Sequence, residues 1–211
     1  MPEGNRFKRA WFDIVEESPY GTNRLRYWDF AATQDGGART AGVLLGIRGR
    51  DIFVEDVVFG QWSTGERNAI MRQTAELDLQ RFGVAVYTVF EEEGGSSGKD
   101  ASRAVVRLMA GFPIQPDRPT GNKDVRLEPF AAQAEAGNVR LIRGAWNGAY
   151  IDEMCAVPNG VFRDMADATA GAYNKLVPTS GRTVTAAERA QLIAPSRWTE
   201  QTKPRWKRTK R

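Results

Sequence analysis

The chain has 211 residues, 41% of them hydrophobic and 27% charged, a composition typical of a globular protein that buries a core of its own. Its net charge of +4 is unevenly spread, because the last fifteen residues carry +6 and the other 196 carry −2. With no histidine, one cysteine and no apolar run near the ~20 residues of a membrane helix, the sequence excludes imidazole catalysis, an internal disulfide, a multi-cysteine zinc site and a membrane span.

The first half of the chain predicts an antiparallel meander followed by a helix. The three predicted strands occupy positions 24–32, 40–47 and 51–59. The short turn between the second and third strands indicates that they pair antiparallel. Ser63 or Thr64 can cap the helix that follows, and Gly83 ends it.

The second half alternates strands and helices, which indicates an α/β layered domain. An apolar run at 84–90 has the composition of a central strand buried on both faces. The remaining predicted elements are a helix at 99–109, a loop at 115–122, a helix at 127–136, a strand at 139–142 and helices at 145–154 and 161–176. We therefore predict a linker region at 1–20, a folded domain at 21–178 and a basic tail at 179–211.

A glycine-rich segment from Gly94 to Asp100 approximates the phosphate-binding loop pattern G-x-x-x-x-G-K-[ST]. Its first glycine is one residue too close to the second, and Asp100 stands where the pattern needs a Ser or Thr to hold magnesium. We interpret the segment instead as a turn into a helix, with Ser96 or Ser97 as the cap.

Acidic side chains give the clearest indication of chemistry. Asp29 lies in an apolar strand between Trp28 and Phe30, where an ionised carboxylate is costly unless a partner or a metal compensates it. Glu91 closes the predicted central strand, and Glu93 shares its face if the strand continues that far.

The last predicted helix adds Asp164 and Asp167, which lie three residues apart on one face. Three elements thus each offer a carboxylate, which is the arrangement that holds two divalent cations ~3.5–4 Å apart for phosphodiester cleavage. Oxygen ligands favour Mg²⁺ or Mn²⁺. Taken singly, each acid also has a structural interpretation, as a solvated strand-end or turn carboxylate or as an acid that stabilises a helix N-terminus.

Six short motifs follow one another along the chain. They are FEEEGGSSGK at 90–99, PTGNK at 119–123, EPFAAQ at 128–133, AGNVRL at 136–141, PNG at 158–160 and DMADA at 164–168. With these motifs in unbroken order, the region from 24 to 176 resembles the C-terminal nuclease domain of the large terminase subunits of tailed bacteriophages.

The resemblance implies an RNase H-like α/β fold, with a central mixed β-sheet flanked by α-helices. It implies a metal-dependent endonuclease that cleaves concatemeric double-stranded viral DNA during genome packaging, by two-metal-ion hydrolysis with Mg²⁺ or Mn²⁺. The implied partners are double-stranded DNA, the portal protein, the small terminase subunit and the ATPase domain that precedes this domain in the full-length subunit. The expected location is the packaging motor in the host cell cytoplasm.

By position, the resemblance makes Asp29 the metal ligand of the first strand, Glu91 the acid of the central strand and Asp164 the acid of the last helix. Relatives commonly read His-Asp-Asp before a final Asp-Ala, whereas this chain reads Phe-Arg-Asp at 162–164. Asp167 therefore stands in reserve as the third ligand. Many relatives also read Glu-x-Glu-Pro-Gly, which makes Glu93 a second ligand of the strand end or a support.

Basic residues supply the expected DNA contacts. Lys99, in the helix after the glycine-rich turn, either approaches a phosphate or is a solvated lysine. In the tail, Lys203, Arg205, Lys207 and Arg208 are interspersed with tryptophan, which suits phosphate neutralisation and base stacking. Docking on the portal and a disordered solubilising end are the alternatives for the tail.

Two other functions are compatible with the sequence. The first is a noncatalytic RNase H-like module that binds DNA or docks on the portal. The second is a resolvase-like or transposase-like nuclease of the same fold.

Overall fold

A mixed β-sheet forms the centre of the protein, whose computed structural model describes residues 4–31 and 39–177. Within these residues the sheet has seven strands in the order β1-β7-β4-β3-β2-β5-β6. The strands are β1 (Asp13–Val15), β2 (Asn23–Asp29), β3 (Thr40–Arg48), β4 (Asp51–Gly60), β5 (Tyr87–Glu91), β6 (Ile114–Asp117) and β7 (Val139–Ile142). The helices are α1 (Thr64–Phe82), α2 (Gly95–Leu108), α3 (Lys123–Glu135), α4 (Asn147–Ala156) and α5 (Asp164–Leu176). The predicted central mixed sheet flanked by helices is confirmed.

The predicted meander lies in the middle of the sheet. Strand β3 pairs antiparallel with both β2 and β4. On the other side of β2, strands β5 and β6 follow as parallel neighbours, with Trp28 opposite Phe90 and Glu91 opposite Asp117. Because parallel strands run in the same direction, β2, β5 and β6 present their last residues at one edge of the sheet.

Helix α1 has the boundaries that local signals predict. The Ser63 hydroxyl accepts a hydrogen bond from the Glu66 backbone N–H (3.3 Å), and the Glu66 carboxylate accepts one from the Ser63 backbone N–H (2.9 Å). This reciprocal capping box satisfies two backbone donors at the helix start. Gly83 ends the helix at φ 71°, a left-handed conformation that favours glycine.

Strand β2 separates two apolar layers, because successive side chains point to opposite faces of a sheet. Tyr27 belongs to the cluster that includes α3, α4 and α5, whereas Trp28 packs with Met71 and Phe90 in the cluster that includes α1 and α2. Helix α5 lies close against β2, since a Cβ added at Gly171 would come 2.4 Å from Tyr27 Cε1. The absence of a side chain at Gly171 thus permits this close approach.

The N-terminal segment, predicted to be a linker region, contributes to both core and sheet. Phe7 and Phe12 are buried in the larger apolar cluster. Strand β1 pairs parallel with β7, with Asp13 opposite Arg140. Three residues are too few to display the alternating pattern by which a strand is recognised in a sequence.

Part of the predicted loop at 115–122 is strand β6. Its Pro116 cannot donate a hydrogen bond to a neighbouring strand, which argues against a strand in the middle of a sheet. The structure accommodates this proline because β6 lies at the sheet edge, next to β5 alone.

Helix α2 begins earlier than predicted, at Gly95, and its N-cap is Gly94 without a side-chain cap, so neither Ser96 nor Ser97 has the predicted role. Glycine is one of the residues accepted at helix N-caps, and Gly94 has the extended backbone that this position needs.

Among the described residues, no helix combines the length and the apolar character needed to cross a bilayer.

Candidate functional site

Three acids lie side by side where the parallel strands end. Asp29, Glu91 and Asp117 are the last residues of β2, β5 and β6. Glu91 is directly opposite Asp117, and the pairing of Trp28 with Phe90 makes Asp29 and Glu91 neighbours as well. Because residues in register share a face, the three carboxylates lie on the side of the sheet that α3 and α5 cover.

Helices α3 and α5 add a lysine and a fourth acid. Lys123 Nζ is 2.6 Å from Asp167 Oδ2 and 4.0 Å from Asp29 Oδ2. The Asn122 side chain accepts a hydrogen bond from the Asp124 backbone N–H (2.8 Å), which starts α3 at Lys123 and holds that lysine at the edge of the sheet. An ammonium group therefore lies against two of the acids.

The carboxyl group of Asp29 is strongly perturbed by its surroundings. Burial raises the pKa of Asp29 from 3.8 to about 8; the Lys123 ammonium opposes this rise, and the charges of Asp167, Glu91 and Asp164 add to it. Burial lowers the pKa of Lys123, but the charges of Asp29, Asp167 and Glu91 together outweigh burial and raise it. The carboxylates are thus crowded enough to favour a bound proton or a bound cation.

Two buried carboxylate oxygens of the site lack a hydrogen bond from any residue that the structure describes. They are Glu91 Oε2 and Asp167 Oδ1. Arg126 Nη1 of α3 is 3.8 Å from Glu91 Oε2, close enough for an ion pair but too far for a hydrogen bond. Buried acceptors of this kind are costly unless something else compensates them.

Asp164, the predicted helix ligand, has a different environment from Asp167. Its Oδ2 is 3.5 Å from Arg39 Nε, and the same guanidinium pairs with Glu153 of α4 and stacks on the Phe162 ring. Burial raises the pKa of Asp164, and Arg39 opposes this rise. Of the two acids on α5, only Asp167 shares the contact with Lys123 that Asp29 also makes.

Glu153 positions the helix that carries both acids. Its Oε1 accepts hydrogen bonds from the backbone N–H groups of Met165 (2.7 Å) and Ala166 (3.2 Å). These donors have no partner within the helix, so Glu153 caps α5 from a different element. Burial raises the pKa of Glu153 to about 7, while Arg39 and the two hydrogen bonds oppose the rise.

Glu93 and Lys99, which the sequence also predicted for the site, are not buried with the acids. Strand β5 ends at Glu91, so alternation does not extend to Glu93, which is exposed and whose charge acts on Arg67 of α1. Lys99 is exposed on α2. The tail residues Lys203, Arg205, Lys207 and Arg208 lie outside the described residues.

As they stand, no three acidic or cysteine side chains within residues 4–31 and 39–177 surround one point as metal ligands would. The Lys123 ammonium contacts two of these acids, 2.6 Å from Asp167 Oδ2 and 4.0 Å from Asp29 Oδ2. A cation held by the same oxygens would compete with this ammonium.

Sequence analysis did not assign a role to several residues of the site. Lys123 and Arg126 of α3, Asp117 of β6 and Glu153 of α4 reach it from three different elements. Lys123 is the last residue of the PTGNK motif. The motif was recognised in the sequence, but the contact of its lysine with the acids was not predicted. The other three have no local signal, because their roles arise from contacts between residues distant in the chain.

The mixed sheet flanked by helices, with a row of acids where its parallel strands end, is an RNase H-like nuclease fold. A family model described as the Terminase RNaseH-like domain matches residues 26–176. The chain belongs to this family, and the resemblance found in its motifs is confirmed. No curated protein sequence matches the chain.

Solved structures with the same fold come from viruses of distant hosts. The large terminase nuclease from thermophilic phage G20c with bound zinc is 15% identical, with a TM-score of 0.56 over 79% of this chain and 95% of that one. The P22 large terminase nuclease domain is 13% identical, with a TM-score of 0.56 over 79% and 88%. The manganese-soaked human cytomegalovirus terminase nuclease domain is 12% identical, with a TM-score of 0.60 over 81% and 94%. At these identities the likeness establishes the RNase H-like fold.

Proposed function

We propose that the protein is the nuclease domain of a phage terminase large subunit, a Mg²⁺- or Mn²⁺-dependent endonuclease that cleaves double-stranded viral DNA during genome packaging. The observation that carries the proposal is the grouping of Asp29, Glu91 and Asp167 from three elements at one edge of the sheet. Membership of the terminase family supports this function over that of a resolvase or transposase.

The acids fit a divalent cation by their chemistry. Carboxylate oxygens are the ligands that Mg²⁺ and Mn²⁺ prefer. Glu91 Oε2 and Asp167 Oδ1 are buried acceptors without a hydrogen bond from the described residues, and the raised pKa of Asp29 indicates a site short of positive charge. A cation would satisfy all three groups.

Each acid has a separate role in the proposed reaction. Two cations, when bound, activate the attacking water and stabilise the leaving 3′ oxygen. Asp29, Glu91 and Asp167 would hold the cations, with Asp29 as the ligand that both would share. Asp164, whose charge acts on Asp29, stays in reserve as the helix ligand, and Glu93 stays a proposed support of the strand end.

The proposed partners follow from the same family. We infer that the domain acts on double-stranded DNA in a packaging motor in the host cell cytoplasm, together with an ATPase domain of the full-length subunit, a small terminase subunit and a portal protein. The basic tail would contact DNA or the portal.

Cleavage of plasmid DNA tests the proposal. With Mn²⁺ or Mg²⁺ the protein should cut duplex DNA with little sequence preference, and Asp29→Asn, Glu91→Gln and Asp167→Asn should each reduce the rate by at least about 100-fold, since each removes a ligand. Asp152→Asn, a change of an exposed acid on α4, is the matched control and should leave the rate unchanged. Full activity in EDTA would exclude this mechanism.

A noncatalytic module is the second candidate. The observation that favours it is the ammonium of Lys123, which pairs with Asp167 and lies near Asp29. Calorimetric titration with Mn²⁺ separates the two candidates. Binding that is lost in Asp29→Asn supports the nuclease, and the absence of binding supports the noncatalytic module.

A further inference from the structure

A basic groove runs between α2 and the edge strand β6. It has a volume of about 550 Å³, and its charged lining consists of Lys99, Arg103, Arg107, Arg118 and Glu92. We call it the α2 groove. Only Lys99 among these residues was expected from the sequence to meet DNA.

The groove presents its charges in a regular row. Lys99, Arg103 and Arg107 are four residues apart on α2, so they share one face of the helix. All three are exposed, whereas Val105, on another face of α2, is buried in the apolar cluster with Trp28. At 1.5 Å per residue the row spans about 12 Å, enough to contact more than one phosphate along a nucleic-acid strand.

Few acids neutralise this row. Glu92, the acid of the lining, pairs with Arg118 and accepts a hydrogen bond from Ser102, so its charge is already compensated. Arg103 pairs with Asp100, but both side chains are more than 70% exposed, and exposed ion pairs of this kind are weak. The groove therefore keeps an excess of positive charge.

The groove adjoins the candidate site. Glu92 follows Glu91, the last residue of β5, and its backbone N–H donates to the Asp117 carbonyl of β6 (2.7 Å). The two sites thus meet at the end of β5, with the acids on the α3 and α5 side of the sheet and the groove on the α2 side. A DNA strand that contacts the groove near Lys99 would reach the acids around this end of the sheet.

We propose that the α2 groove binds the phosphate backbone of duplex DNA and guides one strand to the acids. This inference rests on the proposed nuclease function. A phosphate backbone fits the groove better than an acidic protein segment, because the groove meets, at the end of β5, a site whose proposed substrate is itself a phosphodiester. Arginine and lysine contacts to phosphates position DNA without reading its sequence.

Binding to duplex DNA at several salt concentrations tests the proposal. The full chain and the Arg103→Ala/Arg107→Ala variant are compared by fluorescence anisotropy with a 25-base-pair duplex in EDTA, which prevents cleavage. The variant should bind at least about 10-fold more weakly at 0.1 M salt. Its salt slope should be smaller by about 1.8, because each of the two arginines that neutralises a phosphate adds about 0.9 to the slope.

The Arg48→Ala/Arg50→Ala variant is the matched control. It removes the same two charges from the exposed turn between β3 and β4, at the opposite end of β2 from Asp29, because Asn23 pairs with Ile47. Its affinity and salt slope should equal those of the wild type. Equal weakening in both variants, or none in the groove variant, would overturn the assignment of the groove, whereas a wild-type chain that neither binds nor cuts DNA would contradict the nuclease function itself.

Discussion

Lys123 places an ammonium group 2.6 Å from Asp167 Oδ2 and 4.0 Å from Asp29 Oδ2, at the point where the proposed cations would bring these acids together. In the metal-free protein it supplies part of the positive charge that the buried carboxylates need. A cation and this ammonium would compete for the same oxygens. The lysine therefore stabilises the metal-free protein and opposes metal binding.

Replacement of this lysine should separate the two effects. Lys123→Met is expected to lower the stability of the metal-free protein by about 1–2 kcal/mol, a value discounted because the lysine is half exposed. The same variant should bind Mn²⁺ more tightly, so that its melting temperature rises more on addition of the metal. Thermal melts in EDTA and in Mn²⁺ measure both quantities.

Lys99→Met serves as the control for these melts, since it removes an exposed lysine of the same kind on α2. It should change neither quantity. A Lys123→Met protein with wild-type melting temperatures in both buffers would show that the ammonium has no part in the site.

The raised pKa of Asp29 predicts a pH dependence of stability. Its folded-state pKa is about 8 against an ordinary value of 3.8, so between these values the folded chain holds a proton that the unfolded chain releases. The contribution of Asp29 to stability is therefore complete below about pH 4 and is lost as the pH rises toward 8. Urea unfolding of the metal-free protein across this range measures the free energy of unfolding at each pH. This free energy should fall more steeply with pH for the wild type than for Asp29→Asn, and identical slopes would contradict the prediction.

At the scale of the elements, the sequence predicted what local chemistry decides. Helix α1 was predicted with its cap and its final glycine, because Ser63, Glu66 and Gly83 act within one turn of the helix ends. Strand β1 and the proline-containing strand β6 were missed, because their pairing with β7 and β5 depends on distant parts of the chain.

The packing of α5 on β2 is a feature of this scale that can be tested. Gly171→Ala would place a Cβ 2.4 Å from Tyr27 Cε1, and the ring cannot easily yield because its hydroxyl donates to Asp117 Oδ2 (3.0 Å). We expect a loss of about 1–3 kcal/mol in the free energy of unfolding. Weaker Mn²⁺ binding should accompany it, since α5 carries Asp167 and β2 carries Asp29.

Gly148→Ala is the matched control for this change. Gly148 is exposed in α4, and a Cβ there would meet no atom within 4 Å. Alanine should stabilise this helix by up to about 1 kcal/mol, because glycine is the weaker helix former. Equal effects at the two positions would show that the contact of α5 with β2 is not tight.

At the scale of the whole molecule, the site is made by topology. Asp29 and Glu91 could be singled out from the sequence because Asp29 lies within an apolar strand and Glu91 closes one, and those environments are visible locally. The contact of Asp167, rather than Asp164, with Lys123 could not, because it depends on how α5 faces Lys123 and on the Arg39 pair that holds Asp164. Parallel strands from separate parts of the chain collect these groups at one edge of the sheet.

A crystal structure of the protein grown with Mn²⁺ tests the central claim most directly. We predict anomalous density for manganese between the carboxylates of Asp29, Glu91 and Asp167, with the Lys123 ammonium withdrawn from Asp167. A saturated crystal without manganese at these three acids, with Lys123 still in contact with Asp167, would contradict the account.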